Sequence, residues 1–172
     1  ELAFQDYFVR RQQQDEVTGV RFAGIESAEA TQQALDAIAL ADLIVFCPSN
    51  PIVSIGPLMA LPELRAAVEQ SRAPRVAVSP IVAGKALKGP ADKMLHSLGH
   101  EASAAGVATI LRPLLDGYVL DRQDANAIPT IESLGLQARA MQTIMGDKAD
   151  RARLGREVID FGLSLRSETV PA

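Results

Sequence analysis

The sequence predicts an α/β fold built around a mostly parallel sheet. From Ser27 onward, short apolar runs of strand length alternate with segments whose apolar residues recur at helical spacing, which is typical of βαβ units. The run at 43–47 is apolar throughout and stops at Pro48, which indicates a strand covered on both faces of the sheet. Further strands are predicted at 76–78, at 118–120 and within 136–143.

The helices between these strands are predicted from apolar spacing and from residues that favour helix ends. Ser27 is a suitable N-cap for a helix that runs to about Leu40. Pro57 suits the first turn of the next helix, where its missing N–H costs nothing. Residues 103–115 fit a helix better than a strand. A last helix is predicted behind a cap at Asp147, with an apolar stripe formed by Leu154, Val158, Phe161 and Leu165.

Composition excludes several classes of protein. With 48% hydrophobic and 22% charged residues over 172 positions, the chain has the make-up of a single folded domain. The net charge of −4 argues against a general nucleic-acid binder, which needs a concentrated basic face. No stretch approaches the roughly 18 apolar residues that suggest a membrane span. Because the single cysteine, Cys47, cannot form an internal disulfide, we predict a reducing, cytoplasmic location.

The beginning of the sequence reads like the interior of a domain. It does not start with methionine, and apolar side chains crowd its first nine residues, namely Leu2, Phe4, Tyr7, Phe8 and Val9. We therefore expect the chain to be a segment of a longer protein, although a processed start would give the same pattern. At the other end, residues 167–172 are predicted to be mobile.

The loop that follows the first predicted strand is a candidate phosphate site. Ligands bind at the carboxyl ends of parallel strands, and a helix N-terminus presents unpaired N–H groups to anions. Ser49, Asn50 and Ser54 add side-chain donors, and Gly56 permits close backbone approach. An ordinary turn with capping residues would use the same residue types, so the pattern alone supports both interpretations equally.

The loop after the second predicted strand carries two lysines three residues apart. Lys85 and Lys88, flanked by Gly84 and Gly89, could meet a diphosphate or a carboxylate. Exposed lysines are usually solvated surface, but the position after a buried strand makes the two interpretations equal here.

Other candidate groups favour structural roles. His96 and His100 are spaced as metal ligands on one helix, but no third ligand lies nearby, so we interpret them as structural or surface residues. Asp116, Asp121 and Asp124 surround the third predicted strand, where turn or cap roles are favoured over a ligand contact.

Taken in order, the motifs along the chain resemble those of the 2-phospho-L-lactate transferases. The resemblance is carried by short strings that extend over nearly the whole sequence, at 4–11, 48–51, 54–57, 78–81, 84–91, 115–119, 143–145 and 150–154. Each string is weak alone, and the ordered series is specific. The resemblance implies that residues 1–172 are the C-terminal portion of a single transferase domain with a Rossmann-like three-layer fold, present as a partial domain.

The resemblance also implies an activity in deazaflavin coenzyme F-420 biosynthesis. Such enzymes, which are often dimeric and use magnesium, move a phospholactyl or phosphoenolpyruvyl group from a guanosine diphosphate conjugate to the terminal ribityl hydroxyl of the deazaflavin Fo, releasing GMP. The family's glycine-rich nucleotide loop and acidic metal-binding motif belong to an N-terminal half that this sequence lacks. We therefore expect the Mg²⁺ ligands and catalytic base there, and the segment alone to be inactive.

Substrate contacts transferred by the resemblance fall on residues already named and on one more. They are Ser49, Asn50, Ser54 and Gly56 in the first loop, Lys85 and Lys88 in the second, and Arg10 in the 4–11 string. A second hypothesis is a non-catalytic regulatory protein of the gluconeogenesis-factor type, which resembles the transferases in fold and binds nucleotides or nucleotide sugars. An unrelated α/β protein, such as a dinucleotide-dependent oxidoreductase, is a third.

Overall fold

The computed structural model describes residues 1–168. The strands in this part of the chain are β1 (Ile44–Phe46), β2 (Arg75–Val78), β3 (Ile81–Val82), β4 (Lys85–Ala86), β5 (Gly117–Asp121) and β6 (Gln137–Met141). The main sheet has the order β1-β2-β5-β6 with every neighbouring pair parallel, and β3 and β4 form a separate antiparallel hairpin. The predicted α/β class with a parallel sheet is confirmed.

Helices cover both faces of this sheet. They are α1 (Gln32–Ala39), α2 (Gly56–Met59), α3 (Pro62–Gln70), α4 (Ala91–Ser97), α5 (Ala104–Leu111), α6 (Ile128–Ser133) and α7 (Lys148–Ser164). Alternate strand residues point to opposite faces. Ala77, Tyr118 and Leu120 therefore pack against α3, α5 and α6, whereas Val76 and Val119 pack against α7. The result is the expected three-layer arrangement.

The predicted C-terminal helix is confirmed in detail. The Asp147 carboxylate accepts a hydrogen bond from the Asp150 N–H at 2.9 Å, which satisfies an otherwise unpaired donor of the first turn. The stripe residues of the sequence pattern are all buried. Residues 104–111 are also helical, which confirms the prediction of a helix over a strand. The Ser103 hydroxyl caps this helix by accepting a hydrogen bond from the Gly106 N–H at 2.9 Å.

Of two predicted helix starts, the one at Ser27 is wrong and the one at Pro57 is confirmed. Ser27 lies in a short 3-10 turn, and the chain is extended at Ala28, so α1 is capped instead by Thr31, whose hydroxyl accepts from Ala34 N–H. Pro57 lies in the first turn of α2, as predicted, but the helix expected to continue from it ends at Met59, and α3 begins at Pro62. A residue that precedes proline is disfavoured in the helical region, and Leu61 accordingly has φ −78° and ψ 115°.

The first strand departs from expectation in its burial. β1 lies at the edge of the sheet, and the Val45 side chain is 37% exposed, so the prediction that both faces are covered is wrong at this residue. The physical reason is that α7 reaches only as far as Leu43 on this face. Among residues 1–168, no second strand pairs with β1.

Two remaining expectations concern the chain as a whole. No helix within residues 1–168 is by itself long and apolar enough to cross a membrane; the segments Pro51–Met59 and Pro62–Gln70 meet the length and composition criteria only together, and they are bent by 90°. Of the tail predicted to be mobile, residues 167–168 belong to a 3-10 turn, and residues 169–172 lie outside the described part.

Two glycine substitutions test the packing of the helices. A Cβ atom at Gly106 would lie 2.0 Å from the Glu101 carbonyl oxygen, whereas a Cβ at Gly155 would meet nothing within 4 Å. We expect Gly106→Ala to destabilise the fold by about 1–3 kcal/mol through this overlap. Gly155→Ala should instead stabilise it by about 0.5–1 kcal/mol, because alanine favours the helix interior. Urea unfolding of both variants measures the two shifts, and equal shifts would contradict the packing described.

Candidate functional site

A cavity of about 790 Å³ opens at the carboxyl edge of the parallel sheet. Its walls come from the segments that follow β1, β2 and β6 and from the N-terminal segment, because parallel strands release the chain at one edge. The lining residues lie within 48–54, 79–80, 87–91 and 143–145, and they also include Phe4, Phe8 and Arg151.

Asn50 shapes the wall that follows β1. Its Oδ1 accepts hydrogen bonds from the N–H groups of Ile52 at 2.8 Å and Val53 at 3.2 Å, so it caps the helical turn Pro51–Ile55. Its Nδ2 lies 3.5 Å from the Met94 sulfur. Asn50 is therefore a capping residue, as one of the two interpretations of the sequence pattern expected, and the helical turn that it caps faces the cavity.

The wall that follows β2 begins with a hairpin that the sequence analysis missed. Ala83 and Gly84 have φ values of 49° and 75°, which makes the tight turn between β3 and β4. Both carboxylate oxygens of Asp124 accept from the Ala83 N–H, at 3.1 and 3.0 Å. Because of this hairpin, Lys85 lies in β4, while Lys88 follows it and reaches the cavity.

Asp121 holds the wall that follows β6. Its side chain is fully buried at the end of β5, and its Oδ2 accepts from both the N–H and the hydroxyl of Thr143 at 2.9 Å, while its Oδ1 accepts from the Gln123 N–H at 3.0 Å. Burial by itself would raise the pKa of Asp121, but these hydrogen bonds outweigh it and lower the pKa below its ordinary value. A buried carboxylate thus fixes the segment 143–145 against the cavity.

The two other aspartates are also structural. Asp116 makes a two-pronged ion pair with Arg75, with the Asp116 Oδ1 2.8 Å from Nη2 and its Oδ2 2.9 Å from Nε, and it joins the start of β5 to that of β2. Asp124 holds the hairpin turn described above. The predicted cap role of Asp121 and turn role of Asp124 are confirmed, whereas Asp116 forms an ion pair between two strands instead.

The charged side chains that line the cavity within residues 1–168 are both cationic. They are Lys88 and Arg151, and neither has an ion-pair partner among the described residues. This local charge contrasts with the net charge of −4 of the chain. A concave surface lined by one sign of charge concentrates ligands of the opposite sign, so the cavity favours an anion.

The remaining walls are largely apolar. Phe4 and Phe8 stack with their ring centroids 5.5 Å apart, and Leu87, Pro90 and Met145 also line the cavity. Phe4 and Leu87 are exposed at 46% and 56%, so these walls present an apolar surface that a ligand could cover.

Comparison with known proteins identifies the family of the chain. A family model described as 2-phospho-L-lactate transferase CofD matches residues 1–162. The chain belongs to this family. It is 38% identical over 167 residues to a phosphoenolpyruvate transferase of Streptomyces griseus, covering 96% of this chain and 52% of that protein. It is 34% identical over 162 residues to a 2-phospho-L-lactate transferase of Methanopyrus kandleri, covering 92% and 50%.

A phosphoenolpyruvate transferase of Thermobifida fusca is 35% identical over 169 residues, covering 98% of this chain and 51% of that protein. The chain therefore spans about half the length of the curated 2-phospho-L-lactate transferase family members that it matches. The resemblance inferred from the sequence motifs is confirmed.

Four of the seven residues predicted to contact the substrate line the cavity, namely Ser49, Asn50, Ser54 and Lys88. The other three, Gly56, Lys85 and Arg10, do not line it.

Each of those three has a local structural environment. Gly56 starts α2 beside the ring of Phe22, where a Cβ would lie 3.1 Å from the ring. Lys85 is exposed in β4, and Arg10 is exposed and pairs with Asp6 at 2.7 Å. No direct observation tests any of the seven as a ligand contact, so that assignment stays a prediction.

Several lining residues of this transferase family member were not predicted. Thr143, Met145 and Arg151 follow β6, whose uncertain position kept its loop from being selected by the strand-end rule. Phe4 and Phe8 come from a segment distant in sequence, and no local pattern places it beside the sheet. His96 and His100 are exposed, as interpreted from the sequence.

Asp121→Asn tests how the cavity wall is held. We expect the free energy of unfolding to fall by about 2 kcal/mol at pH 7, because an uncharged amide accepts these hydrogen bonds less strongly than the charged carboxylate does. Since the folded-state pKa is lowered, the carboxylate's contribution is present above the unfolded pKa of about 3.9 and is lost as the pH falls through the folded value. The gap between wild type and variant should therefore shrink below about pH 4.

Urea unfolding between pH 3 and pH 7 measures this gap. Asp160→Asn is the matched control, because Asp160 is exposed on α7 and should show a small, uniform difference. A gap for Asp121→Asn that stays constant down to pH 3 would contradict the role assigned to the carboxylate.

Proposed function

We propose that the complete protein moves a phospholactyl or phosphoenolpyruvyl group from a guanosine diphosphate conjugate to the ribityl hydroxyl of the deazaflavin Fo. The observation that carries this proposal is the cavity at the carboxyl edge, with two cations and no carboxylate among its described lining residues. The family membership of the chain and the names of its relatives agree with a transferase of this kind.

The cationic part of the cavity suits the donor. A diphosphate conjugate of a three-carbon acid carries negative charge on two phosphates and on a carboxylate. Lys88 and Arg151 supply positive charge that attracts these groups. The hydroxyls of Ser49 and Ser54 make no hydrogen bond within residues 1–168 and can therefore donate to phosphate oxygens.

The apolar part suits the acceptor. A deazaflavin is a flat aromatic ring system, and aromatic and aliphatic walls bind such a ring by burying its faces. Phe4, Phe8, Leu87 and Met145 provide those walls beside the cationic part. With both ligands bound in one cavity, the ribityl hydroxyl lies near the phosphate that it attacks, which reduces the entropic cost of the reaction.

The transfer that we propose exchanges one phosphorus–oxygen bond for another. The ribityl oxygen bonds to the phosphorus that carries the three-carbon acid, the bond from that phosphorus to GMP breaks, and the hydroxyl proton passes to a base. The described residues lack any group of three or more His, Cys, Asp and Glu side chains that could hold a metal ion. Asp121 is fully engaged by Thr143 and Gln123. We propose that the Mg²⁺ ligands and the base come from the part of the complete protein outside these 172 residues, as the resemblance implies.

Fo consumption by the complete protein tests the proposal. The protein, Mg²⁺ and Fo are incubated with the phospholactyl or the phosphoenolpyruvyl conjugate of guanosine diphosphate, and Fo, product and GMP are separated by chromatography. We expect product and GMP in equal amounts with at least one donor. Tight nucleotide binding without product from either donor would instead favour the non-catalytic regulatory hypothesis. The homodimer and the cytoplasmic location remain predictions.

Lys88→Ala, compared with Lys85→Ala, tests the cationic part of the cavity. Lys88 lines the cavity, whereas Lys85 is three residues away in β4 and does not. A hydrogen bond to a charged group contributes about 1.5–3 kcal/mol, so Lys88→Ala should raise the KM for the donor about tenfold or more. Lys85→Ala should change it by less than about twofold. Steady-state kinetics measure both, and equal effects would remove Lys88 from the donor site.

A further inference from the structure

Arg151 lines the cavity and has no ion-pair partner within residues 1–168. The positions three and four residues ahead of it on α7, where a helical partner would lie, hold Leu154 and Gly155, and neither is charged. Arg151 also lies within one turn of the start of α7, where the helix dipole disfavours a cation. The described structure therefore gives the charge of Arg151 no stabilising contact.

The acidic side chains of the same helical turn are engaged with other groups. The Asp147 carboxylate caps α7 by accepting a hydrogen bond from the Asp150 N–H at 2.9 Å. The Asp150 carboxylate accepts from the Gly146 N–H at 2.9 Å and lies 3.5 Å from the Arg153 guanidinium. These contacts leave the guanidinium of Arg151 available to a ligand in the cavity.

The wall beside Arg151 is held at both of its ends. Thr143 donates two hydrogen bonds of 2.9 Å to the buried carboxylate of Asp121, and Gly146 donates to Asp150. The segment between these two points is therefore fixed before a ligand binds. A ligand that contacts Arg151 meets a preformed surface, which lowers the ordering cost of binding.

The two cations of the cavity belong to different walls. Lys88 lies in the wall that follows β2, next to the wall that follows β1 and carries the hydroxyls of Ser49 and Ser54. Arg151 lies beside the wall that follows β6, and β5 separates β6 from β2. Neighbouring strands are about 4.8 Å apart, so the strands that precede the two walls are roughly 10 Å apart. This separation matches a ligand that has anionic groups at two separate places.

We propose that Arg151 binds the carboxylate of the three-carbon acid of the donor, while Lys88 and the hydroxyls near it bind the diphosphate. This assignment rests on the proposed function. The donor has anionic groups only at these two places, because guanosine is uncharged. The planar guanidinium presents two parallel N–H groups that match the two oxygens of a carboxylate. Since the three-carbon acid moves with its phosphate to Fo, the contact is kept in the product.

Calorimetric titration of the complete protein tests the assignment without turnover. With Mg²⁺ present and Fo absent, the wild type, Arg151→Lys and Arg151→Gln are titrated with GDP, with the phospholactyl and phosphoenolpyruvyl donors, and with donor analogues whose carboxylate is replaced by an uncharged amide. Arg151→Lys keeps the charge but loses the planar pair of N–H groups. Arg156→Gln is the matched control, because Arg156 is exposed on α7 and does not line the cavity.

The expected result is a selective loss of donor affinity. Both Arg151 variants should raise the Kd of the donor about tenfold or more and change the Kd of GDP by less than about twofold. The wild type should bind the amide analogue about tenfold more weakly than the donor, and Arg151→Gln should bind the two alike. Arg156→Gln should match the wild type with every ligand.

Three results would overturn the assignment. They are a wild type that binds neither donor, donor affinity that Arg151→Gln leaves unchanged, and an equal loss of GDP and donor affinity, which would place Arg151 on the diphosphate. Failure of the proposed function gives a different result. A wild type that shows the expected pattern of dissociation constants but forms no product from Fo would contradict the proposed transfer and leave the carboxylate contact of Arg151 in place.

Discussion

The parallel alignment of four strands is the constraint on which the rest of the molecule depends. Because β1, β2, β5 and β6 all point one way, the chain must leave each of them at the same edge and return along a helix. Segments that are far apart in sequence, such as 48–54 and 143–145, therefore meet around one cavity. Hydrogen bonding between neighbouring strands therefore positions these segments around the cavity, independently of the functional side chains.

Most polar side chains at that edge maintain its shape. Asn50 caps a turn, Asp121 holds Thr143, and the Ser79 hydroxyl both donates to and accepts from the main chain of Ile81. Because the buried carboxylate and amide are satisfied locally, the cavity retains positive charge and free hydroxyl groups. An anionic ligand can then bind without displacing the groups that support the walls.

The sequence predicted the positions of the main-sheet strands along the chain better than the membership of the site. Continuous apolar runs identify strands because both faces of a parallel sheet exclude water, and Asp147 marks a helix start through local chemistry. Arg151 and Phe8 were not predicted as lining residues, because their position beside the cavity depends on packing between distant segments. Lys85 was grouped with Lys88 because the turn at Ala83 and Gly84, which places Lys85 in a hairpin strand away from the cavity, has no distinctive residue pair. The exposure of Val45 depends on which elements pack against β1, and a run of apolar residues in the sequence does not specify those elements.

The central claim is that the cavity at the carboxyl edge receives the diphosphate of the donor. Amide chemical-shift mapping tests it most directly, with GDP added to the isotope-labelled complete protein. The account predicts that the largest shifts fall within residues 48–54, 87–91 and 143–151. Saturable GDP binding that leaves all three segments unchanged, with shifts clustered elsewhere, would contradict it.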